Sequence, residues 1–198
     1  FASLLGSADN GRWEISPLGE VTSERRYLPG SLILETRHTT TGGSVVVTDA
    51  LVPAGTGHRL VRSVEGRTGA VAMRCDMRIR FDYGSVVPWV TRAPGGGLRA
   101  VAGPEALMLR TDIDLHGEDY ATVGEFTVRA GQRVDFDLAW NRSHLPPPER
   151  ADVRAVLDES LAWWRQWSSG LTCEGAHAGE MRDSLVVLKG LSHATTGS

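Results

Sequence analysis

The chain has 198 residues, of which 41% are hydrophobic and 23% charged, and its formal net charge is −3. Its basic residues are scattered, which argues against a nucleic-acid or anionic-membrane partner, because both bind clustered basic faces. No apolar run approaches the roughly 18 residues that a membrane-spanning helix requires. Two cysteines, Cys75 and Cys173, are too few for a disulfide framework or a structural zinc site, and we expect a cytoplasmic protein.

Short alternating segments separated by glycines predict a mainly β fold, an antiparallel β-sandwich. The predicted strands are residues 12–16, 32–39, 44–50, 59–65, 70–81, 87–91, 98–102, 106–111, 120–129 and 133–140. Thr41-Gly42-Gly43 predicts a hairpin turn between two of them. The period of two is clearest in residues 70–81, where Cys75 falls on the buried side.

The pattern changes after Trp140. Pro146-Pro147-Pro148 is a stiff break, and apolar residues then recur at helical spacing. We therefore expect a sandwich domain in residues 1–145, a linker helix in residues 149–169, and a second helix in residues 178–192. The second helix has a wide apolar face that needs a partner, so we expect it to begin a further helical domain.

Several short motifs, taken in order, resemble one known family. They are Arg25-Arg26-Tyr27-Leu28-Pro29-Gly30, Leu34-Glu35-Thr36-Arg37, Val47-Thr48-Asp49, Leu60-Val61-Arg62, Glu65-Gly66, Arg80-Phe81-Asp82-Tyr83-Gly84, Trp163-Trp164-Arg165-Gln166-Trp167, Cys173-Glu174-Gly175, Arg182-Asp183-Ser184-Leu185, Leu188-Lys189 and Thr195-Thr196-Gly197. The series is similar to the N-terminal domain of bacterial glycoside hydrolase family 15 proteins, the glucoamylase and trehalase-like group. The resemblance covers nearly the whole chain.

This resemblance implies a β-supersandwich followed by an (α/α)6 catalytic barrel, of which residues 178–192 would be the first helix. It also implies that the parent protein hydrolyses α-glucosidic bonds with inversion, without a cofactor. The family's catalytic glutamates lie in the barrel, so the resemblance assigns no catalytic residue to this chain. The implied partners are the protein's own barrel and an α-glucoside or oligosaccharide, and self-association is a further option.

No pair of carboxylates stands out as catalytic. Inverting hydrolysis needs one carboxylic acid and one carboxylate about 6.5–9.5 Å apart across the sugar. The candidates are Glu35, Asp49, Glu65, Asp76, Asp82, Asp112 and Asp114, the last two on one strand face. No spacing singles out two of them, and abundant arginines favour structural ion pairs.

Metal and nucleophile motifs are also missing from the sequence. The six histidines form no ligand pair at metal-binding spacing, so we expect no metal site. No serine lies in a Gly-x-Ser-x-Gly motif. Gly95-Gly96-Gly97 precedes a predicted strand rather than a helix, which favours a turn over a phosphate-binding loop.

The candidate substrate-binding residues are Arg80, Asp82 and Tyr83, at the end of the longest predicted strand. An aromatic ring can stack on a sugar face, while Arg and Asp can bind its hydroxyl groups. Two structural alternatives stay open. In one, an Arg80–Asp82 pair and a buried Tyr83 hold the loop; in the other, the loop packs on the barrel.

Three functions are compatible with these patterns. The first is a non-catalytic N-terminal domain of a family 15 enzyme, and the second is a free-standing carbohydrate-binding module. The third is a domain used only for assembly. The helical spacing of Trp163, Trp164 and Trp167 favours packing between domains over a carbohydrate platform.

Overall fold

The computed structural model describes residues 6–53, 58–93 and 96–192. Within them it contains eleven β-strands, paired antiparallel, and two α-helices, which confirms the predicted mainly β fold with C-terminal helices. The strands are β1 Arg12–Pro17, β2 Thr22–Tyr27, β3 Leu34–Thr40, β4 Gly43–Leu51, β5 Arg59–Arg78, β6 Trp89–Arg92, β7 Leu98–Ala102, β8 Glu105–Thr111, β9 His116–Glu118, β10 Ala121–Arg129 and β11 Arg133–Arg142. The helices are α1 Val153–Ser169 and α2 Ala178–Leu191. Pro94, Gly95 and the motif of residues 195–197 lie outside the described residues.

The strands form two layers that share β5. The first half of β5 lies in a large sheet of order β2-β3-β4-β5-β11-β8-β7-β6. Its second half lies in a smaller sheet, between β1 and β10, with β9 beside β10. Side chains from both layers, including Val47, Val64, Met73 and Phe136, form one buried core between them.

The continuity of β5 corrects the sequence prediction of two separate strands, residues 59–65 and 70–81. Gly66 and Gly69 lie at the crossing point, and a Cβ at Gly66 would meet the carbonyl oxygen of Arg129 at 2.0 Å. Gly69 has φ +60°. The glycines therefore let one strand bend and change layers, although glycine in a sequence also indicates a turn.

Sequence analysis also missed β2 and β9. All six residues of β2 are exposed, and the strand pairs only with β3 at the edge of the large sheet. β9 is three exposed residues long. An edge strand with two wet faces carries no hydrophobic alternation, so its sequence resembles that of a loop.

The helices cover part of the outer face of the large sheet. Val153 and Trp164 of α1 and Val186 of α2 are buried together with Ile33 and Val61. α1 begins at Val153 rather than at residue 149, because the Asp152 carboxylate caps it by accepting from the backbone N–H groups of Arg154 and Ala155. No helix among the described residues is long and apolar enough to cross a membrane.

A buried ion pair fastens the segment that leads into α1. Arg59 pairs with Asp137, whose side chain is 2% exposed, and both lie on the outer face of the large sheet. Asp137 also accepts from the backbone N–H of Ala151 at 2.9 Å, and Arg59 donates to the carbonyl of Glu149 at 3.0 Å. The polyproline break is therefore followed by a segment tied to the sandwich.

Candidate functional site

The predicted site residues Arg80, Asp82 and Tyr83 lie where β5 ends, at one end of the sandwich. Phe81 and Val86 close the loop by exchanging backbone hydrogen bonds of 2.9 and 3.1 Å. Asp82–Gly84 forms a tight turn between them, in which the backbone of Tyr83 is not helical. The turn presents Tyr83 outward, and its side chain is 82% exposed.

The alternative with a buried Tyr83 and an Arg80–Asp82 pair is wrong. Nη1 of Arg80 donates to the carbonyls of Ile79 at 2.7 Å and of Tyr120 at 3.3 Å. The Asp82 carboxylate instead accepts from the Ser85 hydroxyl at 3.1 Å. The three predicted residues are thus close in the chain, but they do not bond to one another.

A second Asp-Tyr turn, missed in the sequence, adjoins the first. Asp119 and Tyr120 connect β9 to β10, and Tyr120 is 83% exposed. Its backbone carbonyl is the one that Arg80 contacts. The repeated Asp-Tyr dipeptide was the available signal, since two of the three tyrosines follow an aspartate. The 37-residue separation of Tyr83 and Tyr120 hid their proximity.

Both Asp-Tyr turns have a left-handed backbone. The φ angles are 48° and 52° at Asp82 and Tyr83, and 47° and 57° at Asp119 and Tyr120. Among the described residues, no other non-glycine residue has a positive φ. Aspartate tolerates this region because its short side chain bonds locally, but tyrosine has no such compensation. Each strained residue costs about 1–3 kcal/mol, and such strain is concentrated at functional sites.

Two neighbouring pockets open beside these turns. The Tyr83 lobe has a volume of about 450 Å³, with Trp13, Leu60, Leu107 and Leu138 among its apolar lining and Arg12, Arg78, Arg80 and Tyr83 among its polar lining. The Tyr120 lobe has about 280 Å³, with Ile79, Leu98 and Leu115 among its apolar lining and Arg80, Arg92, His116 and Tyr120 among its polar lining. Met77, Ile79 and Arg80 line both lobes and form their common wall.

Most of the cations at these lobes are already paired. Arg12 pairs with Asp76 at 2.8 Å and Arg78 with Asp9. Arg92 lies 3.6 Å from Asp114 and donates to the Leu115 carbonyl at 3.0 Å. The charges of these three arginines are therefore balanced, whereas Arg80 donates, within the described residues, only to backbone carbonyls. Guanidinium N–H groups around an apolar base can donate hydrogen bonds to a neutral ligand.

The candidate carboxylates form structural ion pairs rather than a catalytic pair. Six of them pair with arginine: Glu35 with Arg26, Asp49 with Arg62, Glu65 with Arg67, Asp76 with Arg12, Asp112 with Arg150 and Asp114 with Arg92. The prediction that Asp112 and Asp114 share a strand face is wrong, because β8 ends at Thr111. In the described part of the chain, no group of three or more His, Cys, Asp or Glu residues could hold a metal ion.

Cys75 is a packing residue. Its thiol is buried between the sheets and accepts from Nε1 of Trp13 at 3.3 Å. Burial raises the pKa of the thiol, which keeps it protonated and unreactive at neutral pH. Cys75 and Cys173 are both free.

The second surface of interest is the outer face of α2. Val186 is buried, and a Cβ at Gly190 would lie 2.1 Å from Cδ1 of Leu32, so one side of α2 is in close contact with the rest of the chain. On a helical projection of α2, Met181, Leu188 and Leu191 lie within about 40° of the point opposite Val186. Leu188 is 59% exposed and Leu191 75%. The helix therefore has an apolar side that the described residues leave uncovered.

Comparisons with known proteins give a consistent set of similarities. The family model of trehalase-like N-terminal domains matches residues 1–129. A trehalase of Mycobacterium tuberculosis is 30% identical over 100% of this chain and 33% of its own length. A trehalase of Mycolicibacterium smegmatis is 29% identical over 95% of this chain and 32% of its own length. The chain thus spans about a third of the length of these relatives.

A solved structure has the same fold. A bacterial glucoamylase complexed with acarbose matches with a TM-score of 0.60 and 11% sequence identity, over 90% of this chain and 34% of that protein. At this identity the likeness concerns the fold alone.

Proposed function

Because the chain belongs to the trehalase-like N-terminal family, we propose that it is the non-catalytic N-terminal domain of a larger glycoside hydrolase. The remaining part, an (α/α)6 barrel, would hydrolyse α-glucosidic bonds with inversion, as a trehalase or a glucoamylase. Support comes from the relatives, which are named trehalases and are about three times as long as this chain.

The structural support comes from α2. The helix is held on one side through Val186 and leaves Leu188 and Leu191 open on the other. An apolar side of this kind is an interaction surface. A helical domain that follows directly in the chain is the nearest partner for it, so α2 would be shared between the sandwich and the catalytic part.

Activity assays test this proposal. The 198-residue chain and a longer protein that includes the downstream coding sequence would be incubated with trehalose, maltose and maltooligosaccharides. We expect glucose release by the longer protein only, with the anomer produced by inversion detected by proton NMR. Glucose release by the chain alone, abolished by one Asp or Glu substitution, would contradict the proposal.

A substitution in α2 tests the docking surface. Leu188→Asp in the longer protein should separate the two parts, seen as faster proteolysis and lower activity, because a charge would be buried in an apolar contact. Arg182→Asp is the control, since Arg182 is exposed on another side of α2. Equal effects of the two substitutions would argue against docking through Leu188.

We further propose that Arg80, Asp82 and Tyr83 contact the saccharide substrate rather than cleave it. The exposure of Tyr83 and the strained turn that holds it support this role. Tyr83→Ala in the longer protein should raise KM more than it lowers kcat, as expected when uniform binding is removed. Unchanged kinetics with a large loss of thermal stability would indicate a purely structural role.

A free-standing carbohydrate-binding module is the second candidate. It is favoured by the two exposed tyrosines at one end of a β-sandwich, and it would act without a catalytic partner. Under this function Leu188→Asp would leave saccharide binding unchanged. A cytoplasmic location also stays a proposal, supported by the free thiols of Cys75 and Cys173.

A further inference from the structure

The end of the sandwich carries the same arrangement twice. Each of its two lobes has an apolar base and one exposed tyrosine, and each tyrosine follows an aspartate in a left-handed turn. Arg80 lines both lobes, and its guanidinium group donates a hydrogen bond to the backbone carbonyl of Tyr120. The duplication distinguishes this end from a single strained loop.

The backbone strain indicates that the tyrosines are placed for use. Glycine would adopt these φ angles without steric cost, and an exposed side chain adds no burial that could compensate. Tyr27 provides the contrast, since it is also exposed but ends β2 with an ordinary extended backbone. Surface exposure alone therefore does not explain the left-handed backbone of Tyr83 and Tyr120.

The chemistry of the lobes fits a neutral saccharide. Apolar side chains and a flat aromatic ring can cover the C–H face of a pyranose, while arginine N–H groups donate to its hydroxyls. Arg12, Arg78 and Arg92 are paired with carboxylates, and Arg80, which donates to two backbone carbonyls, is the arginine that both lobes share. The Tyr83 lobe, at about 450 Å³, falls within the roughly 300–1,000 Å³ of small-molecule sites, and the Tyr120 lobe, at about 280 Å³, lies just below that range.

We propose that the two lobes form one saccharide-binding site that takes a pyranose ring in each lobe, with Tyr83 and Tyr120 stacking on the two rings and Arg80 between them. The ligand class is a neutral disaccharide or longer glucoside. This inference rests on the proposed saccharide contact of Arg80, Asp82 and Tyr83, and adds Tyr120 and a second ring position. It does not depend on the docking of α2.

Binding to the chain itself tests the site. Trehalose, maltose and glucose would be titrated into the isotope-labelled 198-residue chain and followed by amide NMR. We expect shifts at residues 80–85 and 119–122, and tighter binding of a disaccharide than of glucose. Tyr83→Ala and Tyr120→Ala should each weaken disaccharide binding about three- to tenfold. Tyr27→Ala, the matched control, should leave it unchanged.

Glycine substitutions separate binding from packing. Tyr83→Gly and Tyr120→Gly should raise the melting temperature, because they relieve a left-handed backbone, and should weaken binding at the same time. Stability that rises while binding falls is the result expected for a strained binding residue. A fall in stability with unchanged binding would mean that the tyrosines are structural.

Two other results would overturn the inference. One is the absence of shifts at both turns with all three sugars. The other is displacement of the sugar by inorganic phosphate with the same shifts, which would identify an anion site instead. Neither result would change the outcome expected from the activity assay of the longer protein. That assay tests the domain assignment separately.

Discussion

The two helices follow one another in the chain, but they are held in different ways. α1 is capped by Asp152, buries Trp164 and is preceded by a segment fastened through the Arg59–Asp137 pair. α2 has no side-chain cap at its first turn, and within the described residues Val186 is its one buried residue. The helix α1 is therefore a structural part of the sandwich domain, whereas α2 packs against it on one side only.

The difference indicates where this folding unit ends. A helix that is capped, buries side chains against the sheet and follows a segment tied to the sandwich should fold with the sandwich cooperatively. A helix with one buried residue draws little free energy from the same core, so its stability depends on whatever covers its other side. The predicted boundary of the first domain at residue 145 stays a prediction. Although α1 follows that residue in the chain, its contacts make it part of the same folding unit as the sandwich.

The largest effect is expected within α1. Trp164→Ala should destabilise the chain by about 3–5 kcal/mol, because it removes a buried aromatic side chain between the helix and the sheet. Trp163 is the comparison: it is 36% exposed and packs edge-on against Trp164, so its replacement by Ala should cost less. Urea denaturation measures both, and a loss for Trp164→Ala no larger than that for Trp163→Ala would contradict the role given to Trp164.

The connection to α1 gives the next effect. Asp137→Ala leaves Arg59 without its partner and should cost about 3 kcal/mol, since the Arg59 side chain is only 11% exposed. Glu35→Ala breaks a pair with Arg26 that is 74% exposed, and should cost at most about 1 kcal/mol. A small loss for Asp137→Ala would mean that the buried pair is not what holds the segment before α1.

The two sides of α2 should respond differently. Val186→Ala removes two buried methyl groups and should cost about 1.5 kcal/mol. Leu188→Ala should stay within about 0.5 kcal/mol, because the side chain is exposed, but it should reduce self-association of the chain in sedimentation experiments. A monomer with strong amide-exchange protection along α2 would contradict the half-covered description.

The cap of α1 gives a smaller effect. Asp152→Ala should cost about 1 kcal/mol, because the N–H groups of Arg154 and Ala155 lose their acceptor. Asp158→Ala, in the middle of the same helix, is the control and should be nearly neutral. Circular dichroism and denaturation measure the two variants, and an equal change in both would argue against capping.

The smallest effect is a pH dependence that only the sandwich and α1 should share. Burial lowers the pKa of His38, with further lowering by Arg25. The folded state therefore binds this proton less readily than the unfolded chain, so stability is complete above pH 6.5 and falls as the pH drops below it.

His38→Gln should flatten that pH profile. Amide exchange in α1 should follow the same profile as unfolding of the sheet. Amide exchange in α2 should not follow it. If α2 changed in step with α1, the two helices would belong to one cooperative unit.

The strongest local patterns predicted the fold well. Residues 98–102 match β7 at both ends, and the Gly-Gly turn does join β3 to β4. The alternation itself is clearest in the second half of β5, where the buried residues Val71, Met73, Cys75 and Met77 alternate with less buried ones. The resemblance to trehalase-like N-terminal domains is confirmed by the family match. β2 was missed because both its faces are wet, and the continuity of β5 was missed because bending glycines resemble turn glycines.

The candidate site was predictable only in part. Arg80, Asp82 and Tyr83 stood out as neighbours at a strand end, where sequence adjacency is enough. Tyr120 could not be placed beside them, because β6, β7, β8 and β9 intervene before the chain returns to the second half of β5. Long-range pairing brings the two turns together, and no local preference encodes it.

The sequence by itself determined the β class, the switch to helices after Trp140, the burial of Cys75 and the family. Those properties depend on periodicity and on residue order, which are written along the chain. Only the tertiary structure decided that β5 joins both sheets, that α2 exposes Leu188, and that two strained tyrosines rim neighbouring lobes. Each of these depends on which distant segments pack together, because burial and backbone strain are properties of the assembled core rather than of any one segment.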